Sequence, residues 1–169
     1  ALPSETSLQA FFLQFTAEWH TLFTEEIAAM SSMKQAILCI DDEAIILLAL
    51  KDELKQRFGD RYIYETAMNT DQAFEIIEEL IADGVEVVLI LSDWLMPYVK
   101  GDEFLIQVYQ RYPNIRAIMI TGQADSCSIE RARREANLYE CITKPWNSDY
   151  LGEIIERCLG EDITAAATE

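Results

Sequence analysis

Asp41, Asp42, Asp93, Thr121 and Lys144 are the side chains of this sequence with most to offer chemically, and each sits at the end of an apolar run. Asp41 and Asp42 follow "AILCI" (36–40) and Asp93 follows "VEVVLILS" (85–92). Thr121 closes "IRAIMIT" (115–121), and Lys144, followed by Pro145, comes after "YECIT" (139–143). Three carboxylates brought into one small space repel, and their titrations couple. A divalent cation resolves that conflict, and an all-oxygen set with few protein groups suits magnesium, which keeps several waters. The metal would then bridge to a phosphoryl oxygen, with Asp93 as the nucleophile that forms an aspartyl phosphate. Lys144 could neutralise one phosphoryl oxygen and Thr121 could donate a hydrogen bond to another. Phosphoryl transfer asks mainly for such positioning and charge compensation. Singly, each residue has a plain reading: a strand-end aspartate is a cap, Thr121 bonds backbone, and Lys144 is a surface lysine. Only their convergence on one edge of one sheet lifts them above it.

The elements that must bring them together alternate from residue 36 onward. Strands are expected at 36–40, 61–66, 85–92, 115–121 and 139–143. Helices are expected at 43–58 (closed by Gly59), 70–84 (capped at Thr70 or Asp71, with Gly84 at its end), 101–112 (stopped by Pro113), 124–137 and 147–160. The helix at 124–137 is the poorest in apolar residues, and the tail 161–169 is expected to fray. Near-continuous apolar strands alternating with helices predict an α/β fold, a five-stranded parallel sheet doubly wound by helices on both faces. Ligands of such sheets bind at the carboxyl ends of the strands, near the topological switch point. In the strand order 2-1-3-4-5 the first and third strands are neighbours, so Asp41, Asp42 and Asp93 share one pocket, flanked by Thr121 and Lys144.

Composition narrows the function classes. The chain has 169 residues, half of them hydrophobic, with 30 acidic and 13 basic residues and a formal net charge of -17. That charge argues against nucleic acid and against anionic membranes as partners. The short "RARR" at 131–134 reads as a solvated helix face rather than a basic patch. No apolar run is long enough for a membrane span, and the acidic N-terminal region has no signal-peptide pattern. There are four cysteines without a CxxC pair, and two of them, Cys39 and Cys141, lie inside apolar runs and read as buried, reduced thiols of a cytoplasmic protein. A single histidine argues against zinc. The chain opens with Ala1, as a processed chain or part of a longer one would.

At this point the sequence resembles the response-regulator receiver domains of two-component signalling. "CIDDE" (39–43), "LSDWLMPYVKGDEFL" (91–105), "MITGQAD" (119–125) and "ITKPW" (142–146) carry the resemblance, which spans residues 34–160 with every element in order. It implies a flavodoxin-like fold and a switch, not an enzyme beyond its own phosphorylation and dephosphorylation. Asp93 would be the phosphoacceptor, supplied by a histidine kinase or phosphotransfer protein. Asp42 would ligate Mg2+ directly and Asp41 mainly through water, with the backbone carbonyl of Leu95 as a third protein ligand. Thr121 would be the switch hydroxyl, and Lys144, joined to Pro145 by a cis bond, would pair with the phosphoryl group. Met96, Pro97 and Gly101 would shape the following loop. The responsive surface would surround the fourth strand, fourth helix and fifth strand.

Three departures from the family pattern stand out. Cys141 occupies the position, three before the lysine, where the family usually has an aromatic residue that swings inward with the threonine. Tyr139 lies two residues earlier, on the same face if the strand alternates regularly; it either takes over the switch or leaves it muted. Leu95, where a polar residue is common, is expected with Gln123 to control the attacking water and to slow self-dephosphorylation. Trp94 and Trp146 flank the site as packing residues.

Residues 1–33 lie outside the resemblance. "SLQAFFLQFTAEWHTLFTEEIAAM" (7–30) predicts an amphipathic helix, with Leu8, Phe12, Phe15, Trp19 and Leu22 spaced as a seam. It would pack on its own receiver, form a homodimer seam or partner-docking helix, or be the exit helix of an upstream domain. His20 within it reads as a surface or interface histidine. The expected organisation is therefore a helical extension (1–33), a receiver domain (34–160) and a tail (161–169). Output would run through protein contacts, to a downstream protein or a detached output domain; "TKPW" also resembles receivers attached to phosphodiesterase or cyclase outputs. The alternatives are a receiver-like interaction module that is never phosphorylated and a haloacid-dehalogenase-type phosphatase. The latter needs Asp-x-Asp after its first strand, where this chain has "DDE". No Gly-rich phosphate loop supports a nucleotide enzyme.

Overall fold

The computed structural model describes residues 33–123 and 126–165, with side chains as far as Gly160. The helix expected at 7–30, its seam and His20 lie outside these residues, as do Ala124, Asp125 and residues 166–169. From Gln35 the chain alternates strand and helix: β1 (Gln35–Ile40), α1 (Ala44–Phe58), β2 (Ile63–Ala67), α2 (Thr70–Ala82), β3 (Glu86–Ser92), α3 (Gly101–Arg111), β4 (Arg116–Thr121), α4 (Ser126–Glu135), β5 (Leu138–Thr143) and α5 (Ser148–Ala165). The five strands form one sheet in the order β2-β1-β3-β4-β5, all neighbours parallel. This is the doubly wound five-stranded parallel sheet that the alternation predicts, and the flavodoxin-like order that the resemblance implies.

Both faces of the sheet are covered, which is why its strands are apolar almost throughout. On one face Leu47, Leu50 and Leu54 of α1 and Leu151, Ile154, Ile155 and Cys158 of α5 pack against Ile37, Leu89, Ile118 and Ile142. On the other, Ala73 and Ile77 of α2, Phe104, Leu105 and Val108 of α3 and Ala132 of α4 pack against Leu38, Ile90, Ala117 and Met119. Arg57 ties α1 to α5 through a two-pronged contact with Glu156 at 3.0 and 3.1 Å. The helix poorest in apolar residues, α4, buries only Ala132 among its own residues.

Several boundaries differ from expectation, each for a local reason. The cap of α2 is Asn69, not Thr70 or Asp71: its side chain accepts from the Gln72 backbone N–H at 2.9 Å, while the Gln72 side chain accepts from the Met68 N–H at 2.8 Å. It differs from a capping box in that the return bond comes from the N–H one residue before the cap. Strand β2 starts at Ile63 rather than 61, because Gly59–Arg61 form a 3-10 turn held by the Tyr64 hydroxyl on the Gly59 carbonyl. Helix α5 continues past Gly160 to Ala165 instead of fraying from 161, since a single helical glycine costs only about 1 kcal/mol.

Candidate functional site

The register of the sheet decides which strand ends meet. Ile40 pairs with Ser92 across β1 and β3, so the next residues, Asp41 and Asp93, emerge side by side. The Asp93 N–H donates to the Ile40 carbonyl at 2.9 Å, and the Asp41 N–H donates to that of Ala67 at 3.2 Å. Carboxylate oxygens of Asp41, Asp42 and Asp93 all lie within 4.8 Å of one another. Thr121 and Thr143 end the neighbouring strands as a pair, and the Lys144 N–H donates to the Thr121 carbonyl at 3.0 Å. All five residues singled out in the sequence thus gather on one edge of the sheet.

Their side chains are held in detail. The Lys144 ammonium donates to Asp41 Oδ2 at 2.6 Å and to Asp93 Oδ2 at 3.1 Å. Asp93 Oδ1 accepts the Trp94 N–H at 2.7 Å and, more weakly, the Leu95 N–H at 3.4 Å. Asp41 Oδ1 accepts the Glu43 N–H at 2.8 Å as the chain turns into α1. Asp41, Asp93 and Thr121 are buried, and Asp42 is exposed. The Gln123 N–H points at Thr121 Oγ1 from 3.4 Å. The Lys144–Pro145 bond is cis.

Gly101 makes a close approach that no larger residue could. A Cβ there would overlap the Asp93 carbonyl oxygen and stand 2.7 Å from Trp94 Cα. The Gly101 N–H instead donates to the Trp94 carbonyl at 2.8 Å, which folds the loop after Asp93 back onto the start of α3.

The charges are unequally placed. Burial works against the Lys144 charge, but the Asp41 and Asp93 carboxylates outweigh it and hold its pKa above the ordinary lysine value. Burial also pushes Asp41 above the ordinary carboxylate range, despite the Lys144 and Glu43 hydrogen bonds that favour its ionised form. The two shifts pull the ion pair in opposite directions. Lys144 faces two carboxylates at once, whereas Asp41 shares that one cation with Asp93, so the lysine gains more from the pairing than Asp41 does. A pocket with one cation for three acids has room for more positive charge. Its donors, carboxylate oxygens beside an open groove of about 370 Å³ lined by Asp42, Glu43, Asp93, Leu95, Met96 and Pro97, fit a hard divalent ion that retains water. A larger depression of about 610 Å³ lies near the opposite ends of β3–β5, around Glu86, Asn114, Arg116 and Asn137. None of the five candidate residues lines it.

Two readings of β5 change. Ala117 pairs with Leu138 but Ile118 with Glu140, so Tyr139 is an extra residue in the strand. That bulge breaks the alternation: Tyr139 packs with the α1–α5 face, whereas Cys141 packs with the α2–α4 face. Tyr139 is therefore not on the face of Cys141 and cannot stand in for an inward-swinging aromatic there. Cys141 itself is half-buried.

The flanking aromatics are engaged. Trp146 Nε1 donates to Glu53 at 2.8 Å. Trp94 is buried, and its Nε1 donates to Asp102 at 3.0 Å. Asp102, a buried acid, was not visible as a site neighbour from its place in "KGDEF", because an acid in the first turn of a helix ordinarily faces water. The arginines of "RARR" meet acids: Arg131 reaches Asp102 and Glu135, Arg133 reaches Glu140, and Arg134 reaches Glu135.

Comparison with known proteins identifies the family and the fold. The profile of the response regulator receiver domain matches residues 37–156. The hydrogenase transcriptional regulatory protein HoxA of Cupriavidus necator is 32% identical over 130 residues, 77% of this chain and 25% of that protein. The chain thus spans about a quarter of the length of that relative. A chemotaxis protein CheY homolog of Campylobacter jejuni is 24% identical over 135 residues, 79% of this chain and 98% of that one. Among solved structures, the signal receiver domain of an HD domain-containing protein from Pseudomonas fluorescens Pf-5 superposes with a TM-score of 0.67 at 27% identity, covering 78% of this chain and 98% of that one. The beryllofluoride-activated NtrC4 receiver domain dimer does so at 0.65 and 26%, covering 76% and 98%. The chain belongs to the response regulator receiver domain family. Among the described residues, no helix is long and apolar enough to cross a membrane.

Proposed function

We propose that this receiver domain of two-component signalling is a phosphorylation-controlled switch in the cytoplasm whose phosphoacceptor is Asp93. The observation that carries the reading is the Lys144 ammonium seated between the buried carboxylates of Asp41 and Asp93, 2.6 and 3.1 Å away. A lysine so placed orients the acceptor now and can bind the phosphoryl group afterwards. The donor is a histidine kinase or phosphotransfer protein. One Asp93 carboxylate oxygen attacks phosphorus. The bond from phosphorus to the donor's imidazole nitrogen breaks, its electron pair leaves with the imidazole, and the acyl phosphate remains on Asp93. Thr121 donates its hydroxyl to one phosphoryl oxygen and Lys144 pairs with another. Asp42, Asp93 and the Leu95 carbonyl would hold Mg2+ directly, and Asp41 mainly through water. When bound, the ion would supply charge neutralisation at the reacting oxygens. The signal leaves through protein contacts around β4, α4 and β5, toward a downstream protein or an output domain.

Intact-mass analysis with acetyl phosphate and magnesium tests this, beside Asp93→Asn and a magnesium-free control. One labile phosphoryl group, absent from both controls, is expected. A folded protein that takes up neither phosphoryl group nor magnesium would overturn the reading in favour of an unphosphorylated interaction module.

A further inference from the structure

Asp102 has no part in the reading above. It stands in the first turn of α3, where a carboxylate is favoured by the helix macrodipole without any partner. Yet it is 2% exposed, and two other elements reach it. The Trp94 indole donates to Oδ1 at 3.0 Å, and Arg131 Nη1 of α4 lies 3.4 Å from Oδ2. Trp94 is the residue whose backbone N–H holds Asp93 Oδ1, and the Lys100 ammonium covers its ring 4.8 Å from the centroid. Arg131 has a second acid within reach, Glu135, at 3.7 Å. One guanidinium is thus shared between the buried acid on α3 and an exposed acid on its own helix. A buried carboxylate does not lose its cation cheaply, so a displacement of Trp94 against Asp102 is passed to Arg131.

We propose that Trp94, Asp102 and Arg131 form a coupling line between the phosphoacceptor loop and α4, with Asp102 as the positioning residue at its centre. The line runs through α3, apart from the route along β4 and β5 through Thr121 and Cys141. What drives it rests on the phosphoacceptor reading; its existence at rest does not. Charge added at Asp93 moves the Trp94 backbone, the indole shifts on Asp102, and Arg131 redistributes between Asp102 and Glu135, turning α4 against α3. By linkage, a partner that binds α4 and withdraws Arg131 alters the loop at Asp93.

The test follows the Trp94 indole N–H and the Ala132 and Arg133 amides by NMR in the full chain, in wild type, Asp102→Asn, Arg131→Gln and Glu135→Gln. At rest, Arg131→Gln is expected to shift the Trp94 indole resonance, and Glu135→Gln to shift it less. With magnesium and beryllofluoride, wild type is expected to shift both the indole and the α4 amides. In Asp102→Asn and Arg131→Gln the indole still responds, but the α4 response falls below half. An indole resonance unmoved by Arg131→Gln, or undiminished α4 responses in both variants, overturns the coupling line. If Asp102→Asn does not fold, Arg131→Gln decides alone, its side chain being 44% exposed. A wild type that ignores beryllofluoride overturns the phosphoacceptor reading instead, and the resting shift still decides the line.

Discussion

The Lys144 ammonium lies 2.6 Å from the Asp41 carboxylate, although 103 residues separate them in the chain. It holds Asp93 as well, so one cation offsets two buried acids before any ligand arrives. Lys144→Met would leave both acids uncompensated. We expect the metal-free variant to lose about 1–3 kcal/mol, less than a fully buried pair because the lysine side chain is 16% exposed. A divalent ion can take over the neutralisation, so the loss narrows at saturating magnesium. Thermal melts with and without magnesium check this; an equal loss in both conditions would contradict it.

Asp41 and Asp42 should separate under pH and metal. Burial raises the Asp41 pKa above its ordinary 3.8, so the fold binds that proton more tightly than the unfolded chain does. Its contribution favours the fold below 3.8 and is lost as pH rises through the folded pKa. Asp41→Asn should therefore be more stable than wild type in metal-free buffer at neutral pH, with the advantage shrinking in acid. The raised Lys144 pKa acts at the other end: its stabilisation is full below 10.5 and is lost as pH rises through the folded value. Exposed Asp42 should cost under about 0.5 kcal/mol when changed to Asn. Magnesium at a hundredfold excess over Kd adds about 2.7 kcal/mol to wild type, and Asp42→Asn should lose most of that gain. Urea unfolding across pH, with and without magnesium, reads all of these.

Gly101→Ala tests the close approach of α3 to the backbone at Asp93. The added methyl would collide with backbone, the Asp93 carbonyl and Trp94 Cα, which cannot swing aside as a flexible side chain would. Overpacking of this kind costs about 1–3 kcal/mol, occasionally more. We expect that loss together with slower phosphorylation from acetyl phosphate. A variant of wild-type stability and rate would show that the loop after Asp93 is free to move away.

Leu95 is half-exposed on the rim of the groove beside Asp93. An apolar side chain there should keep water from the acyl phosphate. Leu95→Ala is expected to shorten the lifetime of the phosphorylated chain, followed by loss of the adduct mass after removal of donor. An unchanged lifetime would sink this role for Leu95.

Much of this protein was legible in its sequence because the signals are local. Apolar runs of strand length alternating with amphipathic helices fix a doubly covered parallel sheet, and each run ends on the residue it displays: Asp41, Asp93, Thr121, Lys144. The cap of α2 was not legible in the same way: "NTD" sets three capping residue types in a row, and only the extended backbone at Asn69 decides among them. What the sequence could not settle depends on which backbone sits opposite which. One extra residue, Tyr139, inserted against β4 sends Tyr139 and Cys141 to different faces, and no periodicity count reveals where a strand will bulge. Asp102 reads as a solvated first-turn acid until the fold closes α4 and the Trp94 indole over it. Residue type and spacing determined which groups reach the sheet edge. Burial and strand register, which come only from packing distant segments together, decided which of them share a charge.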